Sequence, residues 1–304
     1  MKNQTIGIEI EMTGLTRTAA AKVVAEHLGV QIQRTFGTYD THKMQAADGR
    51  TWTIVRDASI RQKKRINGTL QDAGDEYKVE LVSPILTYSD IPDLQEIVRK
   101  LKKAGAVNNT SELSCGIHVH IGKGKHTPNT LKNLVNLMAS KEELIYKSLG
   151  IQQARADRWC KKIDERLITN LAQKKPKTME ALADIWYTGY DYDRNAHYND
   201  SRYHGLNLHA TFTKGTIEFR LFNGTLHAGE IRSYIVFCLA LSHQALSQKN
   251  ARANRTVTTN DKYTFRCWLL RLGLSGDEYK NCRHHLMAKL SGNSAWKTPS
   301  RAVA

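Results

Sequence analysis

Five short segments of this 304-residue chain share one device. GIEIEM, residues 7 to 12, sets Ile8, Ile10 and Met12 against Glu9 and Glu11. YKVELVSP sets Val79 and Leu81 against Glu80. GIHVHI sets Ile117, Val119 and Ile121 against His118 and His120. GLNLHA sets Leu206, Leu208 and Ala210 against Asn207 and His209. TIEFRLF sets Ile217, Phe219 and Leu221 against Glu218 and Arg220. A period of two is that of a strand, in which side chains two apart share a sheet face. The simplest assembly turns every apolar face to a layer of helices and every polar face to one shared surface. The expected fold class is α+β: a mainly antiparallel sheet, helices packed on its outer face, and a helical C-terminal part.

Helical patterns fill much of the remainder. Thr16 to Leu28 is helix-like and stops at Gly29. A helix capped by Ser89 carries Ile91, Leu94, Ile97, Val98 and Leu101 on one side. Thr127 with Pro128 opens another helix, and GEIRSYIVFCLALSHQAL forms a long one. Strand-like VQIQRTF and TWTIVRD are expected to be joined through a turn at Asp48–Gly49, and Asn67–Gly68 marks a second turn. Residues 151–200 read as two helices and a loop. The tyrosines Tyr187, Tyr190, Tyr192 and Tyr198 there make that segment a candidate lid. The chain is expected to be one domain, 1–304, with a core over 5–245, an insertion over 151–200 and a helical extension over 246–304 that frays near Pro299.

Composition narrows the function classes. Hydrophobic residues make up 40% and charged residues 24%, ordinary for a globular chain with a substantial core. No apolar run is long enough to span a bilayer, and MKNQTIGIEIEM reaches carboxylates too soon for a signal peptide. The five cysteines are scattered with no CxxC pair, which argues against a cysteine zinc site or a disulfide framework. A cytoplasmic setting is expected. The net charge of +16 favours anionic partners. Its densest clusters, RQKKR (61–65) and KKPK (174–177), lack the interleaved aromatics of a single-strand-binding surface.

Against that basic background the carboxylates stand out. Glu9, Glu11, Glu80 and Glu218 on one surface would repel one another and be pushed toward protonation. A divalent cation removes the repulsion, and oxygen-rich ligation suits Mg²⁺ or Mn²⁺ better than zinc. Glu9 and Glu11 are therefore expected to hold metal ions that carry a nucleotide. Arg220, a planar bidentate donor, is expected to stabilise a phosphoryl group in transfer. Taken singly, each element has a plainer reading. Glu9 and Glu11 fit a solvated strand face, His118 and His120 fit hydrogen-bonded core histidines, Glu218 and Arg220 fit a structural ion pair, and Asp57 fits a turn cap.

The order GIEIEM, WTIVRDASI, ELVSPIL, CGIHVHI, RYHGLNLHA, GTIEFRLFNGTLHAGEI resembles the amidoligase family. That family belongs to the carboxylate–amine ligase superfamily, with glutamine synthetase and glutamate–cysteine ligase. The resemblance covers roughly residues 5–245, and its specificity lies in TIEFRLFNGT taken together with CGIHVH and the N-terminal EIE. It implies a glutamine-synthetase-like antiparallel sheet forming a funnel-shaped active site, with ATP and Mg²⁺ (or Mn²⁺) as cofactors. By that analogy Glu9, Glu11, Glu80 and Glu218 match metal-binding carboxylates. His118, His120 and His209 match positions near ATP phosphates or substrate. Arg220 matches the phosphate-contacting arginine of the last strand, and Asn207 a substrate contact. Asp57, in a D-x-S stretch, is a looser match to the amine site.

The expected activity is an ATP-dependent carboxylate–amine ligase that forms an amide or peptide bond through an acyl phosphate. Glu218, Arg220 and Asp57 are the expected catalytic residues. Its partners would be a small-molecule or peptide carboxylate and an amine, with no membrane. Two alternatives stand beside it: a zinc- or iron-dependent hydrolase or oxygenase built on His118 and His120, and a basic nucleic-acid-associated protein. The excess of carboxylates argues against the first, and only charge supports the second.

Overall fold

The strand that opens the chain, β1 (Ile6–Met12), buries Ile6, Ile8, Ile10 and Met12 almost completely. The computed structural model describes residues 1–108, 115–190 and 193–297. These fall into two compact units. One comprises Lys2–Gly122 with Phe222–Arg232, and the other Lys123–Leu221 with Ser233 onward.

In the first unit β1 is followed by α1 (Arg17–Leu28), β2 (Ile32–Thr35), β3 (Thr41–Gln45), β4 (Thr51–Val55), β5 (Lys63–Ile66) and β6 (Thr69–Asp72). Then come β7 (Val79–Val82), α2 (Ile91–Lys103) and β8 (Gly116–Gly122). Six of these strands form an antiparallel sheet in the order β2-β3-β4-β7-β1-β8. Its apolar face carries Met44, Trp52, Ile54, Val79, Leu81, Ile117, Val119 and Ile121 along with the β1 residues, all buried. Helix α1 packs on β3 and β4 and against α2. Both helices have sequence-encoded ends or faces. Thr16 accepts the Ala19 N–H at the start of α1, and Gly29 closes it in the left-handed region at φ 68°. Helix α2 buries the expected stripe of Ile91, Leu94, Ile97, Val98 and Leu101.

Two expectations for this unit need correction. The Asp48–Gly49 turn joins β3 to β4, not VQIQRTF to TWTIVRD, because THKMQ forms a strand between them. His42 occupies an inward position there, buried on Met44's face, and its polarity hides the alternation. Ser89 does not cap α2: the helix has Asp90 at its N-cap, and Ser89 lies inside the preceding 3₁₀ turn, whose N-cap is Thr87. Thr87 and Asp90 make a reciprocal capping box that opens a single 3₁₀ turn ahead of the helix. Asn67 and Gly68 do turn the β5–β6 hairpin, both at positive φ (49° and 82°) as a two-residue turn of this hand requires.

The second unit is mostly helical: α3 (Pro128–Leu149), α4 (Gln153–Arg158), α5 (Glu165–Lys174), α6 (Met179–Trp186), α7 (His209–Thr213), α8 (Ala228–Ser247, its first turn grouping with the first unit), α9 (Asp261–Arg271) and α10 (Lys280–Met287). The described residues of 151–200 thus hold three helices, not two. Phe237 on α8 meets Phe265 and Trp268 on α9 in an aromatic cluster. His126 bridges Thr130 of α3 and Ser242 of α8 at 3.0 and 2.9 Å, and burial pushes its imidazole down to about 4. Two strands, β9 (Leu206–Asn207) and β10 (Thr216–Asn223), pair antiparallel with Glu218 opposite Asn207. GLNLHA is therefore a strand for two residues only. His209, expected on its polar face, begins the helical turn α7 instead. Tyr192 and Pro299 lie outside the described residues. Among those described, no helix is long and apolar enough to cross a membrane.

Candidate active site

Register on the first sheet decides which polar side chains meet. Glu11 lies opposite Glu80 and Glu9 opposite His118, while His120 lies opposite Gly7. Each pair is within side-chain reach on one face. A side chain at position 7 would crowd the His120 Cβ at 3.3 Å, so glycine there leaves room for the imidazole. The His118 Nδ1 is 2.8 Å from Glu9 Oε2, and its Nε2 is 3.8 Å from Glu11 Oε1. The His120 Nε2 is 3.4 Å from Glu9 Oε1. Glu11 is buried and its Oε2 accepts the Gly116 N–H at 2.5 Å. Burial raises the Glu9 carboxyl, but the His120 charge and hydrogen bonds from His118 and His120 outweigh it. The net result holds Glu9 well below the usual carboxylate range.

Two groups here have donor atoms that all lie within 4.8 Å of one another. One is Glu9, Glu80 and His118. The other is Glu11, Asp57 and Glu80. Glu80 belongs to both, so the two groups adjoin. The second group offers carboxylate oxygen alone, the donor set of a hard divalent cation. Asp57, just beyond β4, also accepts the Ser59 N–H at 2.6 Å, so the turn cap and the site position coincide in one residue.

In the second unit the remaining candidates form a hydrogen-bonded chain. Arg220 Nη1 donates to Glu218 Oε1 at 2.5 Å, and Asn207 Nδ2 donates to Glu218 Oε2 at 2.7 Å. Asn207 Oδ1 accepts the His209 N–H at 2.8 Å, which is what turns the chain out of β9. All four residues are buried. The Arg220 Cζ sits 5.9 Å from the Tyr203 ring centre, and Arg155 donates to the Arg220 carbonyl.

One member of this chain, Tyr187, is expected from the sequence only as a candidate lid tyrosine. The Tyr187 hydroxyl lies 2.6 Å from His209 Nδ1, at the end of α6. Burial pushes the phenol up to about 12, so it remains protonated. Burial also lowers the His209 imidazole, with the Arg202 charge adding to it. Two neutral rings thus share one hydrogen bond. Nothing in YTGYDYDRN singles Tyr187 out from its neighbours, since only tertiary packing of α6 near α7 selects it.

A family model described as "Putative amidoligase enzyme" matches residues 2–242, which contain every candidate residue above. No curated protein matches the chain.

Proposed function

The chain belongs to the amidoligase enzyme family, and on that premise we propose that it is an ATP-dependent carboxylate–amine ligase working through an acyl phosphate. The observation that carries the reading is the all-carboxylate group of Glu11, Asp57 and Glu80, with Glu11 and Glu80 directly opposed in register. Like charges placed so close need compensation. Glu9, Glu11 and Glu80, with Glu218 as the fourth carboxylate, would hold divalent cations of the magnesium class. Bound there, such cations offset charge between nucleotide phosphates and the substrate carboxylate. The antiparallel sheet would then be of glutamine-synthetase type, its polar face the wall of a funnel.

The reaction this reading assigns has two displacements. A carboxylate oxygen of the acid substrate attacks the γ-phosphorus, and ADP leaves. The amine then attacks the acyl carbon, phosphate leaves, and the amine loses a proton. Arg220 would contact the phosphoryl group, oriented by its bond to Glu218. Asn207 holds the other Glu218 oxygen and fixes its direction. His118 does the same for Glu9. His120 and His209 would face phosphate or substrate, and Asp57 would attract the amine. The zinc or iron alternative is not favoured by the family match.

Thermal unfolding with and without Mg²⁺–ATP tests the reading without knowledge of the substrates. Ligand at a hundred times its Kd adds roughly 2.7 kcal/mol, a rise of a few degrees for a chain this long. The expected result is a magnesium-dependent rise in wild type that Glu218→Ala abolishes. In ligation assays Arg220→Ala should lower turnover about a hundredfold or more. Near-normal ligation by either variant would sink the assignment.

A further inference from the structure

We propose that a strip of arginines and aromatic rings in the second unit binds single-stranded nucleic acid, with bases on its rings and phosphates on its guanidinium groups. Arg158 Cζ lies 4.6 Å from the Trp159 ring centre, and Trp159 meets Tyr203 edge-on at 5.4 Å. Arg202 Cζ lies 5.8 Å from Tyr203 and 5.6 Å from Tyr198, whose ring meets His197 at 4.6 Å. Cation–π contacts of consequence occur about once per 70–80 residues. Here two neighbouring arginines build a continuous run.

The run is assembled by one backbone bridge. Lys161 N–H donates to the Tyr203 carbonyl and Gly205 N–H to the Lys161 carbonyl, which lays Lys161 beside residues 203–205. The members are open to solvent. Tyr198 is 62% exposed, Arg158 and His197 are exposed, and Trp159, Arg202 and Tyr203 are half-buried. An exposed tyrosine of that degree adds little to the core.

Charge supplies the second, independent observation. Among the described residues neither Arg158 nor Arg202 has a carboxylate partner, whereas Arg166 and Arg194 each pair with one and Arg255 with two. Uncompensated guanidinium groups interleaved with rings are what a sugar–phosphate backbone with unstacked bases requires. The lysine-rich clusters at 61–65 and 174–177 have charge without rings, and the net charge of +16 adds long-range attraction. The proposal does not depend on the ligase reading. Should both hold, Tyr203 joins the strip to Arg220, and the ligase would act on a group carried by the nucleic acid.

The test is fluorescence anisotropy of a labelled oligothymidylate and an oligouridylate of about twelve nucleotides, with heparin as a polyanion without bases. Salt is varied from about 50 to 200 mM. Wild type should bind both oligonucleotides and lose affinity with salt. Tyr198→Ala should weaken binding about tenfold or more while leaving the salt slope unchanged, because it removes a stacking face and no charge. Arg202→Gln and the more exposed Arg158→Gln should each lower the slope by about 0.7, one phosphate contact on a single strand. Arg158→Gln keeps the test sound should loss of the Arg202 bond to the His197 carbonyl disturb the loop. Three results would overturn the proposal. One is no binding at low salt. The second is heparin binding as tight as the oligonucleotides, with Tyr198→Ala silent. The third is affinity lost in Lys64→Gln but untouched in all three strip variants.

Discussion

Glu142 offers a stability experiment whose sign follows from one buried carboxyl. It sits on α3, 2% exposed, and its Oε1 accepts the Ile163 N–H at 2.9 Å. Its Oε2 is buried with no hydrogen-bond partner among the described residues. Burial pushes the carboxyl from an ordinary 4.5 up to about 7, against the Ile163 bond and the charges of Arg255 and Lys162, with Glu143 adding to the rise. Below the unfolded value both states are protonated and the group is neutral in its effect. As pH rises, the unfolded chain ionises first. Stability is therefore lost between about 4.5 and 7, and the full penalty stands above that window. A displacement of this size corresponds to about 3 kcal/mol at 1.36 kcal/mol per unit. Glu142→Gln keeps the acceptor for Ile163 and cannot ionise. Denaturant unfolding of both proteins from pH 4.5 to 8.5 should show equal stability at the acid end. At the alkaline end the variant should be more stable by about 3 kcal/mol, roughly 5 °C in Tm. A difference that does not change with pH, or a variant that is weaker at pH 8.5, would refute the assignment of a protonated buried carboxyl.

Two further outcomes follow from particular contacts. Gly14 has φ +85°, and a Cβ there would meet the Gly105 carbonyl oxygen at 2.5 Å and Val107 Cγ2 at 2.9 Å. Gly14→Ala should cost about 1–3 kcal/mol from backbone strain alone, and unchanged urea unfolding would show that the turn relaxes. Asn207→Ala leaves Glu218 Oε2 and the His209 N–H without their shared partner, so about 1–3 kcal/mol of stability should go with it; a double cycle with Tyr187→Phe should be non-additive, since both act on His209, and strict additivity would deny the coupling.

How far the sequence was readable depended on whether a residue's neighbours were local. Strands β1, β7 and β8 were legible because Ile, Val and Leu alternate with charged residues, and register then brought Glu9 to His118 and Glu11 to Glu80. Strand β3 was not, because His42 fills a core position with a polar ring satisfied by Thr18 and the Asp40 carbonyl. His209 was misplaced because Asn207 bonds the backbone two residues on and bends the chain, a competition that alternation cannot reveal. The Tyr187 contact and the arginine–aromatic strip join residues about 20 to 45 apart through tertiary packing, and no local pattern announces them. The helices of 151–200 are short, 6, 10 and 8 residues, which is why three read as two.

The central strands have one further consequence. Glu9, Glu11, Glu80 and His118 are rungs of the same ladder that seats Ile8, Ile10, Leu81 and Ile117 in the core. A slip of one residue in any of these pairings would bury the charges and expose the isoleucines together. Selection for a stable interior therefore proofreads the site at no separate cost. The polar face can be altered by changing a side chain, but misalignment cannot leave behind a well-folded protein with these carboxylates and imidazoles in the wrong place.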